Sequence, residues 1–114
     1  MRAKNKIVII EDVHERPHVV SRTLKHLYRI GLLDQAAAII FGDFFTAAIG
    51  HTTEEKNRNE QALLKALQLF AANCSFPVFQ TNRIGHGKIN EPILFGAPAS
   101  LQTGSNPKLT IQCL

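Results

Sequence analysis

The chain has 114 residues, of which 45% are apolar and 19% charged, and its formal net charge is +4. That suffices for one domain with its own core but is small for a complete hydrolase or transferase. No apolar run approaches the roughly 20 residues that span a bilayer, and the basic N-terminus lacks the apolar run and cleavage site of a signal peptide, so a cytoplasmic globular protein is expected.

The first element is Ile7-Val8-Ile9-Ile10, four apolar and mostly β-branched residues that run into Glu11-Asp12. A run apolar on both faces predicts a strand covered on both sides, as in an α/β sheet. The carboxylates then stand at its C-terminal end, the edge where ligands and catalytic groups gather in open α/β sheets. Pro17 suits the first position of a helix, where its missing N–H is no loss. Val20, Leu24, Leu27 and Tyr28 repeat at helical spacing, with Arg22, Lys25, His26 and Arg29 on the other face and Gly31 as the C-terminal cap. These basic residues and the group from Arg2 to Lys6 lack aromatic interleaving or a continuous stripe. They are a solvated face and a basic terminus rather than a nucleic-acid footprint, compatible with mild attraction of small anions.

Residues 36 to 41 form a second apolar run, ended by Gly42-Asp43, and the order strand, helix, strand predicts a right-handed parallel crossover. A loop is expected over residues 46 to 52. Thr52 and Glu55 are spaced as a capping box for a helix reaching about Ala72, with Leu63, Leu67 and Phe70 inward and Leu64 and Ala71 flanking. A third, short strand is expected at Pro77 to Thr81, followed by a loop in which His86 stands between Gly85 and Gly87. Ile93 to Phe95, Ala99 to Gln102 and Leu109 to Cys113 are then β-like, separated by Gly/Pro/Asn turns that favour antiparallel pairing. The sum is a single α/β domain over residues 1–114, with a mixed sheet: a parallel strand-helix-strand core plus C-terminal antiparallel strands. Cys74 and Cys113 have no CxxC spacing and are expected to be reduced core residues.

If the first three strands are parallel neighbours, Glu11-Asp12, Asp43 and His86 share one sheet edge. A carboxylate beside a histidine is the orienter and base of a nucleophilic triad, but by itself this is a weak signal, since a loop histidine is more often just a polar surface residue. No nucleophile accompanies them. Ser21, Ser75, Ser100 and Ser105 lie in a helix, a loop, a β segment and a turn, none on a Gly-x-Ser-x-Gly elbow, and Cys74 has no basic neighbour to lower its pKa. His14-Glu15-Arg16-Pro17-His18 matches the zinc-peptidase pattern His-Glu-x-x-His, which requires a continuous helix. Pro17 inside it would clash with the Val13 carbonyl at a cost of about 3 kcal/mol, and it pushes Arg16 out of helical geometry. No metal site is expected.

Several of these segments together carry a family resemblance. Ile10-Glu11-Asp12-Val13-His14-Glu15-Arg16-Pro17 resembles the Leu-Glu-Asp-(Val/Ile)-x-Glu-x-Pro segment of the LD-carboxypeptidase family of serine peptidases, which includes the microcin-immunity peptidases. Arg22 falls on an arginine of the following helix, Leu24 to Leu33 resembles its Leu-x-x-Leu-x-x-x-Gly-(Ile/Val)-Leu run, and Ile39 to Phe44 resembles Ile-(Ile/Val)-Leu-Gly-x-Phe. Gly85-His86-Gly87 and Pro92 to Gly96 resemble Gly-His-Gly followed by Leu-Pro-Leu-Gly, with Ile84 in place of a usual phenylalanine and Phe95 in place of leucine. The match is collinear over almost the whole chain, on the family's C-terminal domain.

The resemblance implies a Ser-Glu-His triad split between two domains. Glu11 and His86 match the glutamate and histidine, and the serine belongs to an N-terminal domain without a counterpart in this chain. It implies hydrolysis of the amide before a terminal D-alanine in murein peptides, without metal or cofactor. The alternatives are a microcin-immunity-like amidase acting on aminoacyl-nucleotide toxins, or a non-catalytic binding or assembly domain. The expected partners are the murein peptide, the serine-bearing domain and, through the face that domain would cover, a second copy of the chain. No nucleic acid or membrane partner is expected, and the chain by itself is expected to be inactive.

Overall fold

The structure, a computed structural model, describes residues 2–12, 15–44 and 50–113. Its elements in chain order are β1 (Ile7–Ile10), α1 (Pro17–Arg29), β2 (Ala38–Asp43), α2 (Thr53–Ala72), β3 (Val78–Gly85), β4 (Ala99–Gln102) and β5 (Lys108–Ile111). Much of the loop expected over residues 46 to 52 lies outside the described residues.

Local chemistry sets the helix ends as the sequence implies. Pro17 opens α1, and extended Arg16 precedes it at φ −73° and ψ 147°. The helix closes in a Schellman arrangement: Gly31, at φ +76°, donates to Tyr28 O, and Leu32 donates to Leu27 O. At α2 the capping box is complete. Glu55 N–H donates to Thr52 Oγ1 at 3.1 Å, and the Glu55 carboxylate accepts from the backbone of His51 at 2.8 Å and of Thr52 at 3.4 Å. The backbone N–H groups of His51 and then Thr52 hold the Glu55 carboxyl below the usual glutamate range. A carboxyl lowered in the folded state stabilises the fold above its unfolded pKa, and that contribution disappears as pH falls through the lowered value. The difference in melting temperature between wild type and Glu55→Gln is therefore expected to narrow on acidification. Thr52→Ala is expected to lose about 1 kcal/mol at neutral pH in urea melts.

The three longer-range strands form one parallel sheet in the order β1-β2-β3. Alternate residues Val8, Ile10, Ile39, Phe41 and Val78 pack with Val20 and Leu24 of α1 and Leu63 and Leu67 of α2. Both helices thus cover one face, which is what two successive right-handed crossovers between neighbouring strands produce. Central β2 is buried along its whole length, whereas all four residues of β1 are only half-buried. The expectation of a β1 covered on both sides is therefore corrected. It is an edge strand, and its apolar run reflects a sheet whose second face carries no helix.

That second face is met by the C-terminal segment. β4 and β5 pair antiparallel, as the turns predict, but as a separate two-stranded sheet rather than as members of one mixed sheet. Leu101, Leu109 and Ile111 of this hairpin face Ile40 and Phe79 across a groove of about 630 Å³. Residues 93 to 95, expected to be β-like, form no strand: Pro92 lacks a ladder donor, and the chain turns at Phe95-Gly96. Among the described residues, no helix is long and apolar enough to cross a membrane.

Candidate active site

Parallel order β1-β2-β3 places the C-terminal ends of all three strands side by side, so the polar residues after them converge. Glu11 leaves β1 directly after Ile10, which pairs with Phe41. His86 follows β3 directly. Its Nδ1 lies 3.0 Å from Glu11 Oε2, across 75 residues of sequence, with His86 55% and Glu11 33% exposed. In the Nδ1–H tautomer, the one in which the ring donates to the carboxylate, Nε2 is left as the nitrogen that chemically can exchange a proton with a nucleophile.

Glycines permit this approach. A Cβ on Gly42 would stand 2.8 Å from Ile84 O and 2.9 Å from Glu11 Cβ, so only hydrogen fits between the strand carrying Glu11 and the one leading to His86. Gly42→Ala is expected to cost about 1–3 kcal/mol by overpacking and to separate the pair, visible as displaced Glu11 and His86 signals in NMR spectra. Gly85, at φ +116°, needs the backbone freedom of glycine, and its N–H donates to Asn90 Oδ1 at 3.4 Å. The loop from Ile84 to Asn90 is closed at its neck. Glu91 N–H donates to Arg83 O at 2.7 Å, and Arg83 Nη1 meets Glu91 Oε1 at 2.6 Å. Both side chains are more than a third exposed, so the ion pair contributes on the order of 0–1 kcal/mol and serves mainly to fix loop geometry.

Glu11 and His86 line an open cleft of about 590 Å³ with Ile9, Ile10, Ile84, Asn90, Ile93 and Phe95. Phe95 is 78% exposed at its margin. Among the described residues, no serine, threonine or cysteine lines this cleft. Ser21 instead faces the outside of α1 among His18, Arg22, Lys25 and His26. Cys74 is half-buried, its Sγ donating to Phe70 O at 3.3 Å, and burial pushes its thiol up, away from a reactive thiolate. Cys113 is exposed rather than in the core. Of the His14 to His18 pattern, His14 lies outside the described residues, and α1, which carries His18, begins only at Pro17. Among the described residues, no group of three His, Cys, Asp or Glu side chains comes together as a metal site. The sequence pattern gave no signal for Asn90 or for the steric role of Gly42; both emerge only when loop and strands are assembled.

The ends of β1 and β3, on either side of β2, thus present a carboxylate–histidine pair in an open cleft of an α/β domain. Residues 1–101 match the family model of the LD-carboxypeptidase C-terminal domain, and the chain belongs to that family. It is 35% identical over 111 residues to a candidate carboxypeptidase of Rickettsia conorii, covering 97% of this chain and 31% of that protein. It is 27% identical over 100 residues to a Bacillus subtilis protein named probable murein peptide carboxypeptidase, covering 88% and 30%. The crystal structure of muramoyltetrapeptide carboxypeptidase from Oxalobacter formigenes superposes with a TM-score of 0.71 at 25% identity, over 91% of this chain and 35% of that one. The chain thus spans about a third of the length of the relatives it matches.

Proposed function

We propose that this chain supplies the glutamate and histidine of a serine LD-carboxypeptidase that removes terminal D-alanine from murein peptides, the serine and its oxyanion hole coming from a second domain. The observation that carries the reading is the 3.0 Å contact between Glu11 Oε2 and His86 Nδ1 in an open cleft without a nucleophile among the described residues. In the reaction, His86 Nε2 takes the proton of the serine hydroxyl as its oxygen attacks the carbonyl of the L,D-amide. The tetrahedral adduct collapses as the same proton passes to the leaving D-alanine nitrogen. Water, activated by His86, then hydrolyses the acyl-enzyme. Glu11 keeps the proton on Nδ1 and stabilises the imidazolium without itself becoming protonated.

Exposed Leu94 and Phe95 at 52% and 78%, with half-buried Ile9 and Ile10 behind them, suit a surface that the serine-bearing domain closes over. The isolated chain is accordingly expected to release no D-alanine from a murein tetrapeptide and to self-associate in light scattering. The same chain joined to a serine-bearing domain of its family is expected to be active. Release of D-alanine by the isolated chain, lost on His86→Ala, would overturn the split-site reading. The name of the Bacillus subtilis relative favours a murein peptide over an aminoacyl nucleotide as substrate.

A further inference from the structure

Asp43, at 7% exposure, is the one buried charged residue among the described residues, and the proton transfers above make no use of it. Burying a carboxylate costs several kcal/mol unless hydrogen bonds or charges compensate it. Its position shows what a charge there can do. The β2–β3 ladder is regular up to Phe41, which pairs with Gln80, and then breaks, so that Asp43 pairs with Gly85. Two steps along β2 therefore span five along β3. The extra residues are taken up in that register shift, and the ladder resumes at the Asp43–Gly85 pair, immediately before His86.

Asp43 thus stands where the ladder resumes. The space beside Gly85 where a side chain would start is bounded by Asp43 O at 3.0 Å and Asp43 N at 3.1 Å. At Gly87 the corresponding space is filled by Asp43 Oδ2, with Asn82 O 3.5 Å away. Gly85 has the positive φ that explains a glycine; Gly87 does not, so its lack of a side chain is a steric matter. The two glycines flanking His86 thus sit against the backbone and the carboxylate of one residue.

We infer that Asp43 is the positioning residue of His86: its backbone pairs with Gly85 where the β-ladder resumes after its register shift, its carboxylate lies against Gly87, and together they fix the imidazole against Glu11. The inference rests on the pairing of Glu11 with His86, but its test needs no catalysis. The ring ¹⁵N shifts of His86 in the isolated chain report its tautomer. With Glu11 accepting, the Nδ1–H form dominates, whereas a solvated ring such as that of His18 provides the internal comparison. Asp43→Asn keeps the shape and an acceptor and is expected to retain the Nδ1–H form. Asp43→Ala, and Gly87→Ala with its methyl where the carboxylate lies, are expected to lose its dominance while circular dichroism still reports a folded domain. A folded Asp43→Ala chain that keeps the Nδ1–H form overturns the inference. Where that variant does not fold, the same result in Gly87→Ala does so. A wild-type chain without the Nδ1–H form overturns the Glu11–His86 pairing itself, and this inference with it.

Discussion

Replacing His86 by alanine in the proposed two-domain enzyme is expected to lower kcat by roughly 10⁴- to 10⁶-fold, with KM little changed, the scale seen when a triad base is removed. The serine would lose its only positioned proton acceptor, and the leaving D-alanine nitrogen its proton donor. Residual turnover would come from substrate binding and the oxyanion hole. Glu11→Gln is expected to cost about 10⁴-fold, because a glutamine can present its N–H₂ to Nδ1 and favour the wrong tautomer. The double variant is expected to be no worse than His86→Ala, since the two residues act as a unit. Single-turnover release of D-alanine from a murein tetrapeptide measures all three. A Glu11→Gln enzyme with near wild-type kcat would remove Glu11 from the mechanism, even at 3.0 Å from the ring.

Phe41→Ala is expected to destabilise the domain by about 3–5 kcal/mol, the largest stability effect of any single truncation considered. Phe41 is 2% exposed at the middle of the central strand. Its ring meets Phe44 and Phe70 with centroids 6.0 Å away in each case, at interplanar angles of 69° and 63°. Such edge-to-face pairs add about 0.5–1.5 kcal/mol beyond area burial. Because domains are stable by only about 5–15 kcal/mol, the variant is expected to sit close to its unfolding midpoint in water. Urea titration would show a collapsed midpoint with an unchanged slope. Phe95→Ala, at 78% exposure, is the control. It is expected to shift stability of the isolated chain by no more than about 0.5 kcal/mol, while weakening association with the serine-bearing domain.

Local signals in the sequence were enough for the helices. Pro17, Gly31 and the Thr52/Glu55 box act within a few residues of themselves, and α1 and α2 begin and end where they indicate. The same holds for the strand cores at residues 7–10 and 99–102, matched residue for residue. The presence of Glu11 and His86 at strand ends was also legible, because a run of β-branched residues followed by a polar group marks a strand terminus wherever the strand lies. The nature of the apolar run in β1 was not. Ile7 to Ile10 reads the same for a central strand and for an edge strand whose far face awaits another layer, since composition reports affinity for apolar surroundings and not which neighbour provides them.

The sequence by itself thus determined the two helices, the five strand cores apart from the extra one expected at residues 93 to 95, their order, and the places of Glu11 and His86 at strand ends. Tertiary structure alone decided that β1 lies at an edge and that β4 and β5 form a sheet of their own. It alone brought Glu11 to His86, and it buried Asp43 between their strands at a broken ladder. The physical reason is one of range. Caps, turns and periodicity act over a handful of residues, whereas sheet order and register are fixed by pairing between segments tens of residues apart. A site assembled from three strand ends is a property of that pairing.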